Sequence, residues 1–138
     1  MLNGNDVLLL AARLLITTLF LIFGWRKLRD YSGTVSQMVH LGVPMPVVAA
    51  GVATFMELPV AFAVAVGAFT RPAALLLGFY TLGTALIGHH YWTIPAPDRV
   101  DSMDGFYKNL SIIGGLLLLY VTGAGKYSID ALCGIAAP

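Results

Sequence analysis

Long apolar runs separated by short polar segments are the main pattern of this chain. A helix needs about 20 mostly apolar residues to cross a bilayer, and four runs reach that length. The pattern predicts an all-α polytopic membrane protein, a bundle of four transmembrane helices that forms a single domain over residues 1–138. The expected helices cover residues 6–25, 46–67, 72–91 and 106–122, and an interfacial tail covers residues 123–138.

Basic residues lie beside the ends of the runs and indicate an orientation. The side with the first and third loops has five of them, and the opposite side has two: Arg26, Lys27, Arg29, Arg99 and Lys108 against Arg71 and Lys126. The positive-inside rule then places both chain termini outside the cytoplasm. Arg13 interrupts the first run and no basic segment precedes it, so we expect a retained helix and not a signal peptide.

The composition excludes several classes of protein. The chain is 58% hydrophobic and 11% charged, whereas soluble domains have about 25% charged residues. The net charge is +1 and the basic residues are scattered, so there is no positive surface of the kind that nucleic acids require. A single cysteine, Cys133, excludes an internal disulfide and a dithiol relay within the chain.

Two charged residues fall inside the predicted spans. Arg13 lies about six residues into the first helix and Glu57 about eleven into the second. A charge within hydrocarbon costs at least about 2.5 to 3.5 kcal/mol, so such residues usually face the bundle interior and pair. We therefore predict a structural ion pair between Arg13 and Glu57. The same two residues are the candidates for a catalytic role, with Glu57 as a protonatable group beside a ligand.

Helical spacing places these charges on faces that contain small and polar residues. At 100° per residue, one face of the first helix and one face of the second contain such a stripe. We expect both stripes to face a packed interior or a wet cavity, since lipid cannot satisfy polar groups. The stripes are Arg13, Thr17, Phe20, Gly24 and Lys27 in the first helix and Ala50, Thr54, Glu57 and Ala61 in the second.

A second group of polar and aromatic residues converges on the side of the first and third loops. Their default roles are an interfacial aromatic belt and snorkelling lysines. The alternative is a ligand site whose donors and aromatic walls suit an anionic or quinone-like head group. The candidates are Lys27, His89, Lys108 and Asn109 as donors, and Trp25 and Trp92 as aromatic walls.

The histidines disfavour a metal or a haem. His89 and His90 are adjacent and point about 100° apart on a helix, so they cannot both bind one ion. A bis-histidine haem would need His40, which falls in the predicted first loop. We therefore predict no metal site, and a quinone is the cofactor that we keep under consideration.

Several short motifs, taken in order, resemble those of the DoxX family. They cover nearly the whole chain, and their shared order and spacing make the resemblance specific. The matching segments are Leu10 to Arg13, Phe20 to Leu28, Leu41 to Pro44, Glu57 to Pro59, Gly67 to Pro72, Lys108 to Leu110, Gly114 to Gly115 and Gly123 to Asp130. The motif positions carried over are Arg13, Gly24, Lys27, Glu57, Gly67, Arg71, Lys108, Asn109 and Asp130.

The resemblance implies a multi-pass protein of the bacterial inner membrane that acts in a redox system linked to quinones or sulfur. The chain would be an integral subunit or accessory of that system, with an oxidoreductase partner and a quinone-like lipophile in its bundle. The alternative is a non-enzymatic scaffold, carrier or chaperone for a partner protein or small lipophile. Small residues within the spans are also compatible with a homodimer.

Overall fold

The computed structural model describes residues 4–135, and these form six α-helices with no strand among them. A short 3₁₀ turn covers Tyr91–Thr93. The helices are α1 (Gly4–Arg29), α2 (Tyr31–His40), α3 (Pro46–Val66), α4 (Thr70–Gly88), α5 (Arg99–Thr122) and α6 (Ile129–Leu132).

Four of the helices, α1, α3, α4 and α5, are long and apolar enough to cross a membrane. The predicted all-α bundle of four transmembrane helices is therefore confirmed. Many large apolar side chains on these helices point outward, including Leu15, Phe79 and Leu118, which are 75%, 64% and 69% exposed. An outer surface of this kind would promote aggregation in water, but it is the surface that lipid chains require.

The core is made where the inward faces of the four long helices meet. It combines medium-sized side chains with alanines, which allow the helices to approach closely. The predicted inward stripe of α1 is confirmed for four of its five residues, because Arg13, Thr17, Phe20 and Gly24 are buried and the Lys27 side chain is partly exposed. The core cluster comprises Phe20, Met56, Val60, Ala61, Val64, Ala74, Leu77, Leu116 and Leu119.

Helix α3 is irregular at its centre. Residues Met56–Val60 form a π-helical turn, and Pro59 lies within it. Proline has no N–H to donate to the preceding turn of an α-helix, and a widened turn is a common way in which a helix accommodates such a break. Glu57 lies in this turn and is buried, so the irregularity coincides with the charged residue of the span.

Helix α2 was not expected from the sequence, which indicated a polar loop from Asp30 to Gly42. Asp30 caps the helix, because its Oδ1 accepts a hydrogen bond from the backbone N–H of Gly33 at 3.0 Å. Tyr31 fixes the helix against α3 by donating to the carbonyl of Val47 at 2.7 Å. Helix α5 also begins earlier than the expected Phe106, at Arg99.

The tail after α5 returns to the bundle on the side of the chain termini. Asp130 accepts hydrogen bonds from the backbone N–H groups of Phe69 and Thr70 at 2.7 and 2.8 Å. These are N–H groups at the start of α4 that have no partner within the helix. Asp130 therefore caps α4 from a distant part of the chain and connects the tail to the turn between α3 and α4.

Candidate functional site

A largely buried ion pair joins α1 to α3. Lys27 Nζ lies 2.7 Å from Glu57 Oε2, and the two side chains are 20% and 8% exposed. The second carboxylate oxygen, Oε1, accepts a hydrogen bond from the hydroxyl of Tyr80 at 2.6 Å. Three helices thus contribute to one polar group, which we call the Glu57 triad: Lys27, Glu57 and Tyr80.

A close contact between α1 and α3 at Gly24 brings the residues of the triad together. A Cβ added to Gly24 would lie 2.8 Å from Leu58 Cγ and 2.9 Å from the backbone carbon of Glu57. Only glycine allows α1 and α3 to touch here. Lys27 is one turn further along α1, and helical side chains lean toward the N-terminus, so its amine reaches back to the level of Glu57.

The predicted ion pair between Arg13 and Glu57 is wrong. Arg13 is fully buried, but its guanidinium donates to the carbonyl of Tyr127 in the tail. A Cβ on Gly67 would collide with that guanidinium, so Arg13 lies level with the end of α3, far from its centre. The N-terminal end of α1 extends beyond the end of α3. A depth counted from the predicted helix starts therefore places Arg13 too close to the centre of the bilayer.

A cavity of about 680 Å³ lies above the Glu57 triad, between the helices. Its walls come from all five helices from α1 to α5 and from the turn after α2. Most of its lining side chains are apolar, such as Phe20, Met38 and Val52. The triad provides charged and hydroxyl groups at its inner end. At 1.5 Å per residue, Glu57 is about 16 Å from the start of α3.

Four of the residues predicted to bind a ligand line this cavity together: Lys27, His89, Lys108 and Asn109. The Nδ2 of Asn109 donates to Thr84 Oγ1 at 3.1 Å, which ties α5 to α4. The His89 ring packs against Gly105, where an added Cβ would collide with the imidazole. These contacts hold the Asn109 and His89 side chains in place.

The two tryptophans that the sequence suggested as aromatic walls do not line the cavity. Trp25 is 56% exposed and Trp92 is 53% exposed. The Trp92 ring packs edge to face against Tyr91 and Phe106, at centroid distances of 5.4 and 5.8 Å. Both tryptophans lie near helix ends, so an interfacial role accounts for their exposure.

Two site residues were missed in the sequence. Tyr80 sits within an apolar run, and a tyrosine hydroxyl buried in a span needs a hydrogen-bond partner, so its position was a usable signal. Phe23 has three cationic groups around its ring: Arg26, Lys27 and Lys108, at 5.7, 5.6 and 5.7 Å from the centroid. The sequence placed Lys27 and Lys108 on the same side of the membrane, but it gave no sign that both would lie around the ring of Phe23.

The geometry suits the binding of a small polar head group. Both Glu57 oxygens are occupied by Lys27 and Tyr80, whereas the Lys27 ammonium has three N–H donors and gives one to Glu57. A bound carbonyl or hydroxyl oxygen could therefore accept from Lys27, and apolar walls would enclose the rest of the molecule. Within residues 4–135, no three His, Cys, Asp or Glu side chains converge as metal ligands would.

Comparison with known proteins gives a consistent picture. The DoxX family model matches residues 8–90. Inner membrane protein YphA of Escherichia coli (strain K12) is 50% identical over 127 residues, which cover 92% of this chain and 91% of that protein. Inner membrane protein YqjF of the same organism is 40% identical over 131 residues, 93% of each chain.

A more distant similarity covers part of the chain. The ER-derived vesicles protein ERV29 of Saccharomyces cerevisiae is 41% identical over 66 residues, which cover 48% of this chain and 21% of that protein. No solved structure matches the chain.

Proposed function

The chain belongs to the DoxX family and is a multi-pass inner-membrane protein, and from that premise we propose that it binds a quinone-like lipophile in its bundle cavity. The cavity above the Glu57 triad supports this proposal. It combines apolar walls, a volume of about 680 Å³ and a polar inner end, which are the usual properties of a small-molecule site. An isoprenoid or alkyl chain would lie among the apolar side chains, with the head group toward Lys27.

The biological role that we propose is that of a membrane subunit or accessory in a redox system. Its part would be to hold the quinone for an oxidoreductase partner, which would supply the electrons. The family resemblance supports this role, and so do the acidic and phenolic groups of Glu57 and Tyr80 at the inner end of the cavity. We also propose that two copies associate through α5. Gly114 is exposed on this helix and has no neighbouring atoms within 4 Å of an added Cβ, so a second helix could approach closely there.

A cavity-filling variant tests whether the lipophile binds where we propose. Gly83 lines the cavity, and an added Cβ would meet nothing within 4 Å, so Gly83→Leu should occupy the space without disturbing α4. Gly78→Leu is the matched control, because Gly78 has equally open surroundings on the same helix and is not among the cavity-lining residues. Both changes favour a helix equally.

The measurement is a titration of each purified protein with a short-chain quinone in mild detergent, followed by native mass spectrometry. We expect Gly83→Leu to weaken binding at least tenfold and Gly78→Leu to bind like the wild type. Equal binding by all three proteins would place the quinone elsewhere, and no binding by the wild type would reject the proposal.

A carrier for a small lipophile, without a redox role, is the second candidate. One wall of the cavity comes from α2 and the turn after it, through Gln37, Met38 and Leu41. A ligand leaving toward the membrane surface would pass these residues, which favours a protein that loads and releases its ligand. Glu57→Gln separates the two roles when the redox activity of the system is divided by the membrane abundance of the protein. A redox accessory should lose activity per molecule, whereas a carrier should chiefly lose abundance or assembly.

A further inference from the structure

Three cationic side chains surround one aromatic ring near the membrane surface. The charged groups of Arg26, Lys27 and Lys108 all lie within 5.7 Å of the Phe23 ring centroid. Two of them can therefore be separated by at most twice that distance. The ring attracts each cation, but the cations repel one another, so the arrangement favours an anion placed among them.

The charges of this cation cluster are largely uncompensated. Lys27 pairs with Glu57, and this is the one salt bridge within 4.0 Å in the described part of the chain. Arg26 and Lys108 are exposed and form no such pair. Asp30 lines the outer cavity and accepts from the Gly33 N–H through Oδ1. Its carboxylate offsets part of the positive charge there but forms no ion pair within 4.0 Å with Arg26 or Lys108. Two cations beside Phe23 thus lack a direct ion-pair partner.

A second, outer cavity of about 500 Å³ lies beside this cluster. Phe23, Arg26 and Lys27 line it together with Asp30, Thr34 and Gln37. It shares Phe23, Lys27 and Gln37 with the inner cavity but does not include Glu57 or Tyr80. The outer cavity therefore adjoins the inner one and lies at the end of α1, where the head groups of a bilayer would lie.

We propose that the cation cluster around Phe23 binds the phosphate of an anionic phospholipid. Arginine and lysine are the side chains that usually bind phosphate oxygens. The acyl chains would stay in the bilayer along the outer face of α1, where Ile22 is 47% exposed one turn before Arg26. Arg26 lines the outer cavity, whereas Lys108 lines the inner one and reaches the same Phe23 ring from that side. The proposal differs from the quinone proposal because it rests on Arg26 and Lys108 and leaves the Glu57 triad intact.

A charge-matched pair of variants tests the proposal. The test variant is Arg26→Gln with Lys108→Gln, which removes both unpaired cations but keeps Lys27 and its salt bridge. The control is Arg29→Gln with Lys126→Gln, which removes the same charge at exposed positions away from Phe23. Native mass spectrometry of the delipidated, full-length protein would measure binding of phosphatidylglycerol and of phosphatidylcholine.

We expect the wild type and the control to prefer phosphatidylglycerol, and the test variant to lose that preference. Each basic residue near a membrane surface contributes about fivefold to binding of an anionic lipid, so the loss should be about 25-fold. An equal loss in the control would show that net charge alone matters, and equal binding of the two lipids by the wild type would also overturn the proposal. So would full displacement of the lipid by millimolar glycerol phosphate, because the site would then recognise a free phosphate and not a lipid.

Discussion

The salt bridge between Lys27 and Glu57 makes a quantitative prediction for a double-mutant cycle. Removing one partner of a buried ion pair costs about 3–5 kcal/mol, because the other charge is left unpaired. In Lys27→Met the carboxylate keeps its bond from Tyr80 at 2.6 Å, so we expect the lower end, about 3 kcal/mol. In Glu57→Gln the ammonium of Lys27, whose side chain is 20% exposed, can turn toward the surface, and we expect about 2 kcal/mol.

The double variant should recover most of this loss. With Met at 27 and Gln at 57, neither side chain is charged, and replacing a buried pair by neutral groups is often close to neutral. We expect a total cost of about 1 kcal/mol and a coupling energy of about 4 kcal/mol between the two positions. The assay is reversible unfolding in mixed micelles of mild detergent and SDS, followed by tryptophan fluorescence.

A control cycle uses Lys108→Met with Glu57→Gln. Lys108 also lines the cavity but forms no salt bridge with Glu57 within 4.0 Å, so its effect should add to that of Glu57→Gln to within about 0.5 kcal/mol. Additive costs in the Lys27 cycle as well would refute the conclusion that this ion pair is what holds the carboxylate in the bundle.

Three other predictions test the tail and the orientation. Gly67 has a φ of +74° and leaves room for the Arg13 guanidinium, so Gly67→Ala should destabilise the fold by more than about 1–2 kcal/mol. The control Gly78→Ala should not destabilise it, because the space around Gly78 is open. Equal unfolding midpoints of the two variants would contradict this prediction. Asp130→Asn should lower the free energy of unfolding by about 1–2 kcal/mol in the same assay, because one of the two hydrogen bonds at the start of α4 is lost. An unchanged unfolding midpoint would mean that this cap contributes little to stability. Cys133 is exposed and is the single cysteine. If the chain termini lie outside the cytoplasm, a membrane-impermeant maleimide should label Cys133 in intact spheroplasts. Labelling only after lysis would show the opposite orientation.

Much of the fold could be predicted from the sequence because bilayer spans follow from length and apolar composition alone. The inward face of α1 was also predictable, since Arg13, Thr17, Phe20 and Gly24 follow helical spacing and all four are buried. Helix α2 escaped prediction because it has only ten residues. A short helix of mixed composition resembles a loop until its packing against α3 is known.

The partners of the buried charges were not predictable by the same means. Depth was counted from the predicted start of each helix, but α1 is 26 residues long and extends past the end of α3. The actual register is set by glycines at points of contact: Gly24 against Glu57 and Gly67 against Arg13. The presence of a glycine in the sequence does not show which residue packs against it. The sequence therefore placed Arg13 and Glu57 in the membrane without showing that each has a different partner.

Photo-cross-linking would show whether the cavity between the helices holds a lipophile. The full-length protein in mild detergent would be irradiated with an azido-quinone, digested and mapped by mass spectrometry, with excess unmodified quinone as competitor. If a quinone binds there, we expect adducts on cavity-lining residues such as Tyr80 and Thr84, and the competitor should remove them. Adducts confined to lipid-facing positions such as Leu15 and Leu118, or adducts insensitive to the competitor, would contradict binding in the cavity.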